Sequence, residues 1–457
     1  MTVQLLRSRI TVLHMTVGSA GKETFMSPLT VSIVAIVMFL VFLFFNMRIG
    51  IALLLSGFFG VVVLRGFGPA VSMLVFGSWG QVASFSLAVI PMFILMGFFA
   101  TYSGITKDLF EACYKWFGGV RGGLGHVTII TSALVNMFCG SATATTATIG
   151  TVCYPEMIRY NYKPLPSAGI IASSSAYGLL IPPSIGFIIY CTIASLSVGK
   201  QFAAGIVPAL IIVVGACITV YIMAKRDPDS MPAGEKFTIR EKLKSLKGVI
   251  AFSLLVILML GGIFSGLFSP SEGGAIGAAG AFIIMIFRRK ATLKIILKCL
   301  KDTAKITGMI FILMVGAEYF GTMLALTRMP TNLATALSGW DAGFMVIWVV
   351  IFVYIVLGMA IDTLPLITIL TPIFFPLVLA MGWDPLWFGN IMVMCMLLGL
   401  ISPPDGIPVY IMSQISGQPL MKCFGACIPF FIMLTIVLIV MVYVPGLSTW
   451  LPAFVGA

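Results

Sequence analysis

Apolar residues run along this chain in long unbroken blocks, without the alternation of a half-buried strand. Blocks of helical length fall near residues 28–46, 49–65, 82–102, 165–196, 201–224, 249–268, 271–287, 303–325, 386–416 and 423–445. Each predicts a membrane-crossing helix. Two further blocks, 123–158 and 342–380, are interrupted near the middle by small or polar residues, Cys139 to Thr143 in one and Gly358 to Thr363 in the other. Two full crossings of a ~30 Å apolar core need about 40 residues plus a turn. Both blocks are shorter than that, so each predicts a re-entrant helical hairpin with its tip at depth. Polar backbone is tolerated there only where it lines a buried or wet cavity.

Prolines divide the pattern into two copies. Pro182-Pro183 and Pro403-Pro404 stand 221 residues apart, and the same offset carries Pro155 onto Pro376, Pro164 onto Pro385 and Pro208 onto Pro429. Gly178-Leu179 falls on Gly399-Leu400 without a gap. Such register marks an internal repeat. Each Pro-Pro must break its helix, because proline lacks the N–H and clashes with the preceding turn. Broken helices at matching positions of two halves are the sequence mark of a transporter binding site.

Composition settles the class. Hydrophobic residues make up 60% of the chain and charged residues 9%, with a mean hydropathy of +1.12; soluble domains carry roughly 25% charged residues. The reading is an all-α, multi-span membrane protein. The net charge of +12 does not signal nucleic acid, because the bases cluster between apolar blocks, where they set orientation. Lys225, Arg226, Lys236, Arg240, Lys242, Lys244 and Lys247 place the central loop in the cytoplasm, and Arg288, Arg289 and Lys290 agree with that side two crossings later. Lys294, Lys298, Lys301 and Lys305 recur at helical spacing opposite leucines and isoleucines, which predicts an amphipathic helix along the cytoplasmic surface. Counting crossings puts Lys163 inside and its repeat partner Asp384 outside. The two repeats are therefore expected to be inverted, with both termini periplasmic. The expected layout is a leader or mis-assigned start at 1–25, a first repeat at 26–224, a cytoplasmic basic loop at 225–248, a second repeat at 249–445 and a tail at 446–457. Nine scattered cysteines show no metal or disulfide spacing.

Candidate chemistry gathers at the tips and breaks. Broken helices offer carbonyls at one half-end, which suit Na⁺, and N–H groups at the other, which suit an anion. Ser141, Thr143, Thr145 and Thr146 add hydroxyl acceptors without bulk at the first tip. Asp362 stands in register with Ser141, and Asp405 with Ser184. A carboxylate deep in a span costs about 2.5–3.5 kcal/mol on the insertion scale. It is therefore a cation ligand, a proton carrier or a helix cap. Glu318 is read as a packing residue paired with Lys305 or a neighbour, and Glu272 as part of an N-cap. No HExxH, GxSxG or P-loop occurs. The chain is not expected to be an enzyme, and transport would draw on ion gradients rather than ATP. An intramembrane hydrolase using Asp362 and Asp405 is the competing class, but neither aspartate follows a glycine as in paired-aspartate proteases.

The stretch GSATATTATIGTVCYPEMIRYNYKPLPSAGIIASSSAYGLLIPPSIGFIIY, followed by GKQFAAGIVPALI, resembles the large membrane subunit of tripartite ATP-independent periplasmic (TRAP) transporters, the DctM type. DTLPLITILTPIFFPLVLAMGWDPLWFGNIMVMCMLLGLISPPDGIPVY resembles the second signature of that family, and SLAVIPMFILMGFFATYSGITKDLF and SPSEGGAIGA are similar to it as well. The resemblance covers about residues 26 to 445. It implies an elevator-type secondary transporter of the bacterial inner membrane, driven by Na⁺ and without another cofactor. A periplasmic solute-binding protein would deliver an organic acid such as a dicarboxylate, keto acid or sugar acid, and a small four-span subunit would join the scaffold. It also implies a first cation site at Gly140, Ser141, Thr145, Pro182, Pro183 and Ser184, and a second at Asp362, Thr363, Ser402, Pro403, Pro404 and Gly406. The substrate would lie between the tips, among Ser141, Thr143, Ser184, Asp362 and Asp405. Two positions depart from the family pattern: Ser402 stands where the family has Thr, and Asp405 where it has an apolar residue. A stand-alone Na⁺ or H⁺ carboxylate carrier of related inverted-repeat fold is the alternative within transport.

Overall fold

In the computed structural model, residues 26–338, 343–404 and 406–455 are described, and all their regular structure is helical. The expected leader and Asp405 lie outside the described residues.

Helix starts follow local sequence. Ser27 caps α1 (Pro28–Phe44), Ser197 caps α10 (Val198–Arg226), and Ser269 with Glu272 forms a capping box on α13 (Pro270–Phe287). Pro28 and Pro270 sit in the first turn of their helices, where the missing N–H costs nothing. The remaining helices of the first half are α2 (Ile49–Arg65), α3 (Phe67–Val82), α4 (Val89–Tyr102), α5 (Ile105–Phe117), α6 (Gly123–Cys139), α7 (Ala142–Arg159), α8 (Pro164–Ala176) and α9 (Ile185–Ala194). After α11 (Ile239–Leu246) the second half runs through α12 (Ile250–Phe264), α13, α14 (Leu293–Leu326), α15 (Met329–Ser338), α16 (Gly343–Gly358), α17 (Thr363–Ala380), α18 (Pro385–Leu400), α19 (Ile407–Ser416) and α20 (Leu420–Tyr443).

The 221-residue offset extends well beyond the prolines that reveal it. It carries the start of α2 onto the start of α13, the whole of α7 onto α17 and the start of α8 onto that of α18; the starts of α1, α6, α9 and α10 land within one residue of those of α12, α16, α19 and α20. Packing between the halves is reciprocal. The arm α7 lies on α19 while α17 lies on α9, and α8 lies on α20 while α18 lies on α10. Two halves related by a two-fold axis exchange contacts in this way.

A second group of helices flanks this interlocked core. Helix α14 packs along α2, and α4 packs on α13. Small residues set the approach: a Cβ on Gly316 would lie 2.2 Å from the Gly50 carbonyl oxygen. Helices α5 and α15 bridge the groups, packing on α6 and α17. Arg288, at the end of α13, pairs with Asp108 of α5 and donates to the Gly248 carbonyl at 2.6 Å.

Helices α10, α13, α14, α17 and α20 are long and apolar enough to cross a membrane, and the bent pairs α4–α5 and α11–α12 pass as broken spans. Three expectations are corrected. The block 82–102 is not one helix: α3 ends at Val82, a 3₁₀ turn covers Phe85–Ala88, and α4 starts at Val89. Residues 67–82, not expected as an element, form α3. The lysine-rich segment 294–305 is not a separate surface helix but the first third of the uninterrupted 34-residue α14.

Candidate functional site

Both hairpins form where the interrupted blocks stand. In the first, α6 ends on Gly140, whose φ of +59° turns the chain at low cost, and Ser141 caps α7 by accepting from the Ala144 N–H at 3.4 Å. The first break follows α8: a 3₁₀ turn at Tyr177–Leu179, the buried Pro182-Pro183 pair joined by a cis bond, then Ser184 capping α9. A Cβ on Gly140 would lie 3.0 Å from Ile185 Cδ1, so the tip rests directly on the restart of the broken helix.

The polar groups there are closely accounted for. The Ser184 hydroxyl donates to the Leu179 carbonyl at 2.5 Å and accepts from the Phe187 N–H at 3.4 Å. It serves both loose ends of the break and keeps one lone pair. Thr145 is buried and donates to Asn136 Oδ1 at 2.6 Å; Asn136 Nδ2 donates to the Ser175 carbonyl at 3.3 Å. Thus Asn136 joins the two arms of the hairpin and ties them to the end of α8. Ser132 and Ser174 add a hydroxyl pair at 3.0 Å. Gly178 makes the approach possible, since a Cβ there would lie 2.0 Å from Asn136 Cγ. Thr143 is exposed.

The second copy keeps the backbone plan and changes the chemistry. Asp362 caps α17 and accepts from the Thr363 N–H at 2.7 Å; Asp362 is exposed and Thr363 buried. The Ser402 hydroxyl donates to the Leu398 carbonyl at 2.6 Å. Pro403-Pro404, again cis, is exposed, and Gly406 restarts the helix at φ +30° with Phe424 against it. Tyr410 donates to the Pro404 carbonyl at 3.2 Å. Gly399 plays the part of Gly178, since a Cβ there would lie 2.4 Å from the Gly358 carbonyl oxygen. Leu357 and Leu366 stand in repeat register with Asn136 and Thr145, so this hairpin has no amide tie. The structure thus sets the Gly140 tip, with Ser141 and Thr145 just after it, against the helix restart that follows Pro182-Pro183-Ser184; in the second copy the contact runs between Gly358 of the hairpin and Gly399 before the break, with Asp362 and Thr363 at the tip and Ser402 and Gly406 at the break.

Asn136 is the residue the sequence reading passes over. Its only sequence signal is an amide inside an apolar block, opposite a leucine in the repeat. Among the described residues, no group of three His, Cys, Asp or Glu comes together. The oxygens at the two joints are hydroxyls, carbonyls and the Asp362 carboxylate, hard donors that fit an alkali cation rather than a soft transition metal.

Comparison with known proteins agrees with this plan. Residues 36–447 match the model of the family described as tripartite ATP-independent periplasmic transporter, DctM component. A C4-dicarboxylate TRAP transporter large permease protein from Pseudomonas aeruginosa is 34% identical over 378 residues, covering 81% of this chain and 87% of that protein. An isethionate TRAP transporter permease protein from Oleidesulfovibrio alaskensis is 31% identical over 80% of this chain, but the match is only 58% of that longer protein. The crystal structure of the Alcanivorax borkumensis YdaH transporter shares the fold, with a TM-score of 0.60 at 13% identity over 86% of this chain and 91% of that one. These relatives are transporter permeases rather than enzymes, and this chain, a multi-pass membrane protein, belongs to the DctM family as a large permease subunit of the TRAP transporters.

Proposed function

We propose that this subunit carries a small organic acid across the bacterial inner membrane by Na⁺-coupled secondary transport. A periplasmic solute-binding protein delivers the acid, and a small membrane subunit completes the permease. The observation that carries the reading is the pair of joints. Each sets a hairpin tip beside a Pro-Pro break and offers hydroxyl and carbonyl oxygens, without a soft-metal cluster, where a cation and an anion can be held together. One cation is held by Gly140, Ser141 and Ser184, with Thr145 and Pro182-Pro183 shaping the joint. A second is held by Asp362, Thr363, Ser402 and Gly406 beside Pro403-Pro404. The acid lies between the tips, within reach of Ser141, Thr143, Ser184 and Asp362, with Asp405 at the second break. Relatives named for a C4-dicarboxylate and for isethionate support a small anion as the cargo.

The reciprocal packing and the charge count together support inverted repeats, with the central loop cytoplasmic and Asp384 periplasmic. Hairpins and broken helices then move as one body past the flanking helices, in elevator fashion. The driving force is sufficient. Two Na⁺ entering down ~100 mV and a tenfold gradient release about 7 kcal/mol, against about 2.3 kcal/mol to import one negative charge.

Proteoliposomes test the reading. Uptake of a C4-dicarboxylate presented on the cognate binding protein should require Na⁺, the small subunit and this chain together. Robust uptake of free acid by this chain alone would replace the reading with a stand-alone carrier. Impermeant maleimide should label a cysteine at position 236 from inside and one at 384 from outside; labelling of both from one side would refute the inverted repeats.

A further inference from the structure

A cleft is left between the first hairpin and the flanking helices. It holds about 520 Å³ and is walled by Trp116 of α5, by Ile130, Leu134 and Met137 of α6, and by Phe252 and Val256 of α12. Helix α12 packs with α13 in the flanking group. It meets the hairpin where Phe252 stands edge-on to Phe138, with ring centroids 4.9 Å apart. The α6 wall follows from sequence. Ile130, Leu134 and Met137 recur at helical spacing and are half-buried, whereas the residues between them are buried. The first hairpin thus presents one apolar stripe that α12 leaves uncovered.

The mouth of the cleft has a different chemistry. Trp116 Nε1 donates to the Lys242 carbonyl at 3.2 Å, and Lys242 Nζ stands 6.0 Å from the centre of the Trp116 ring. Lys242 belongs to α11, which carries Arg240, Lys242, Lys244 and, just after it, Lys247 against a single acid, Glu241. That acid is occupied at the helix start, where it accepts from the Thr238 N–H at 2.8 Å. The acids of α5 are engaged as well, Asp108 by Arg288 and Glu111 by Lys115. Among the described residues, none of the four bases joins an ion pair. The charge at the mouth calls for an anion.

The surroundings say which anion. Ile239, Leu243 and Leu246 share one face of α11, and the first two are 77% and 56% exposed. A short helix with a bare apolar face and basic flanks lies in a membrane interface, at the level of the headgroups. On α12 the cleft lining runs from Val249 to Ile257, roughly 12 Å of helix and within the ~15 Å depth of one leaflet. A soluble phosphate would satisfy the basic rim and leave the apolar slot empty. A phospholipid fits both.

We propose that the cleft binds an anionic phospholipid of the cytoplasmic leaflet. One acyl chain lies between α6 and α12, and Lys242 holds the headgroup phosphate in the field of Arg240, Lys244 and Lys247. The lipid fills the seam where the hairpin body meets the flanking helices. The leaflet follows from the orientation proposed above; the site itself depends on neither cargo nor coupling ion.

The test is photolabelling of the purified permease in phosphatidylcholine vesicles containing a trace of phosphatidylglycerol with a diazirine in its acyl chain. Label should concentrate on peptides holding Trp116, Met137 and Val256, above the level on the lipid-exposed side of α20. Excess unlabelled phosphatidylglycerol should remove it, and excess phosphatidylcholine should not. One base beside an anionic surface changes binding roughly fivefold. Lys242→Gln should therefore lower cleft labelling about fivefold, and Lys242→Arg should keep it. Ser253→Phe sets a ring into the slot from an exposed position on α12; it should abolish cleft labelling and leave the label on α20 unchanged. The two variants act on opposite ends of the lipid, so if one fails to insert the other decides. Even label over α12 and α20, equal labelling by a phosphatidylcholine probe of the same design, or wild-type labelling of Lys242→Gln overturns the proposal. So does competition by inorganic phosphate as effective as that by phosphatidylglycerol, which would make the site one for a soluble anion. None of these readouts involves uptake, so a failure of the transport reading would leave them standing.

Discussion

The two Pro-Pro breaks share a backbone and differ in everything that touches it. At the first, Pro182 and Pro183 are buried, Ser184 serves both loose ends, and Asn136 binds hairpin to helix. At the second, Pro403 and Pro404 are exposed, and leucines stand where the amide tie would be. Symmetry therefore extends to helix boundaries, including the glycines at 178 and 399 that let each hairpin arm approach its break, but not to solvation. The first joint is a closed, satisfied hinge, and the second is open with a carboxylate at its tip. An internal repeat gives two copies of a mould, and each copy is then filled separately.

The largest expected effect tests the shared part. Gly178→Ala drives a Cβ into Asn136 and should cost about 2–3 kcal/mol, read as a large fall in detergent melting temperature. Asn136→Ala in the same chain should recover part of the loss. If Gly178→Ala melts like wild type, the close approach is not a requirement of the fold. Next comes the feature that separates the copies. Asn136→Leu, which installs the repeat-two residue, strands Thr145 and the Ser175 carbonyl and should cost about 1–3 kcal/mol. Adding Thr145→Leu should make the loss smaller rather than larger, because both polar partners are then gone. Additive losses in that pair would mean that Asn136 and Thr145 do not act together.

Smaller still in stability is the change at the second tip. Asp362→Asn keeps a cap, since Asn caps nearly as well as Asp, so the melting temperature should move little. Apparent Na⁺ affinity of uptake should nevertheless fall, with partial rescue at high Na⁺, because the amide keeps an oxygen and loses the charge. Superimposable Na⁺ curves would leave Asp362 as a cap alone. The starts of the broken helices close the series. Asp384 caps α18 through the Leu386 and Trp387 N–H groups at 2.8 and 2.9 Å, so Asp384→Ala should cost about 1 kcal/mol. Its counterpart Lys163 cannot cap α8; it pairs with Asp227 at 2.8 Å. That partnership holds the Asp227 carboxyl below its usual range. The pair therefore persists as pH falls from neutral and is lost only as pH drops through the depressed pKa. Both partners are exposed, so Lys163→Ala should have the smallest effect of all, seen if anywhere in melts above that pH.

The repeat and the hairpins were legible in the sequence for a physical reason. A proline in an apolar run breaks a helix wherever it sits, and block length measured against membrane thickness is a local quantity. What stayed hidden depends on contacts between distant segments. Nothing in the sequence tells that Pro182-Pro183 is covered and Pro403-Pro404 is not, because the covering comes from other helices. Asn136 and Thr145 meet only after the chain reverses at Gly140. The α3 segment falls between the apolar blocks at 49–65 and 82–102; in the structure Gly66, at φ +88°, is the cap from which α3 starts. Asp302, Thr303 and Thr307, at the junction of the lysine-rich and apolar segments, mark no break, and α14 runs on through them.

That continuity has a consequence for how motion is referenced. Thirty-four residues of helix span about 51 Å, well beyond the ~30 Å that lipid tails occupy. Lys294, Lys298, Lys301 and Lys305 sit on its first third; in the orientation proposed above they meet headgroup phosphates, which hold the rod at one depth. Its counterpart in the first half is jointed at Phe85–Ala88 and has no such ballast. α14 is thus the datum of the molecule, a plumb line clamped to α2 at Gly50 and Gly316, against which any vertical travel of the hairpins is measured.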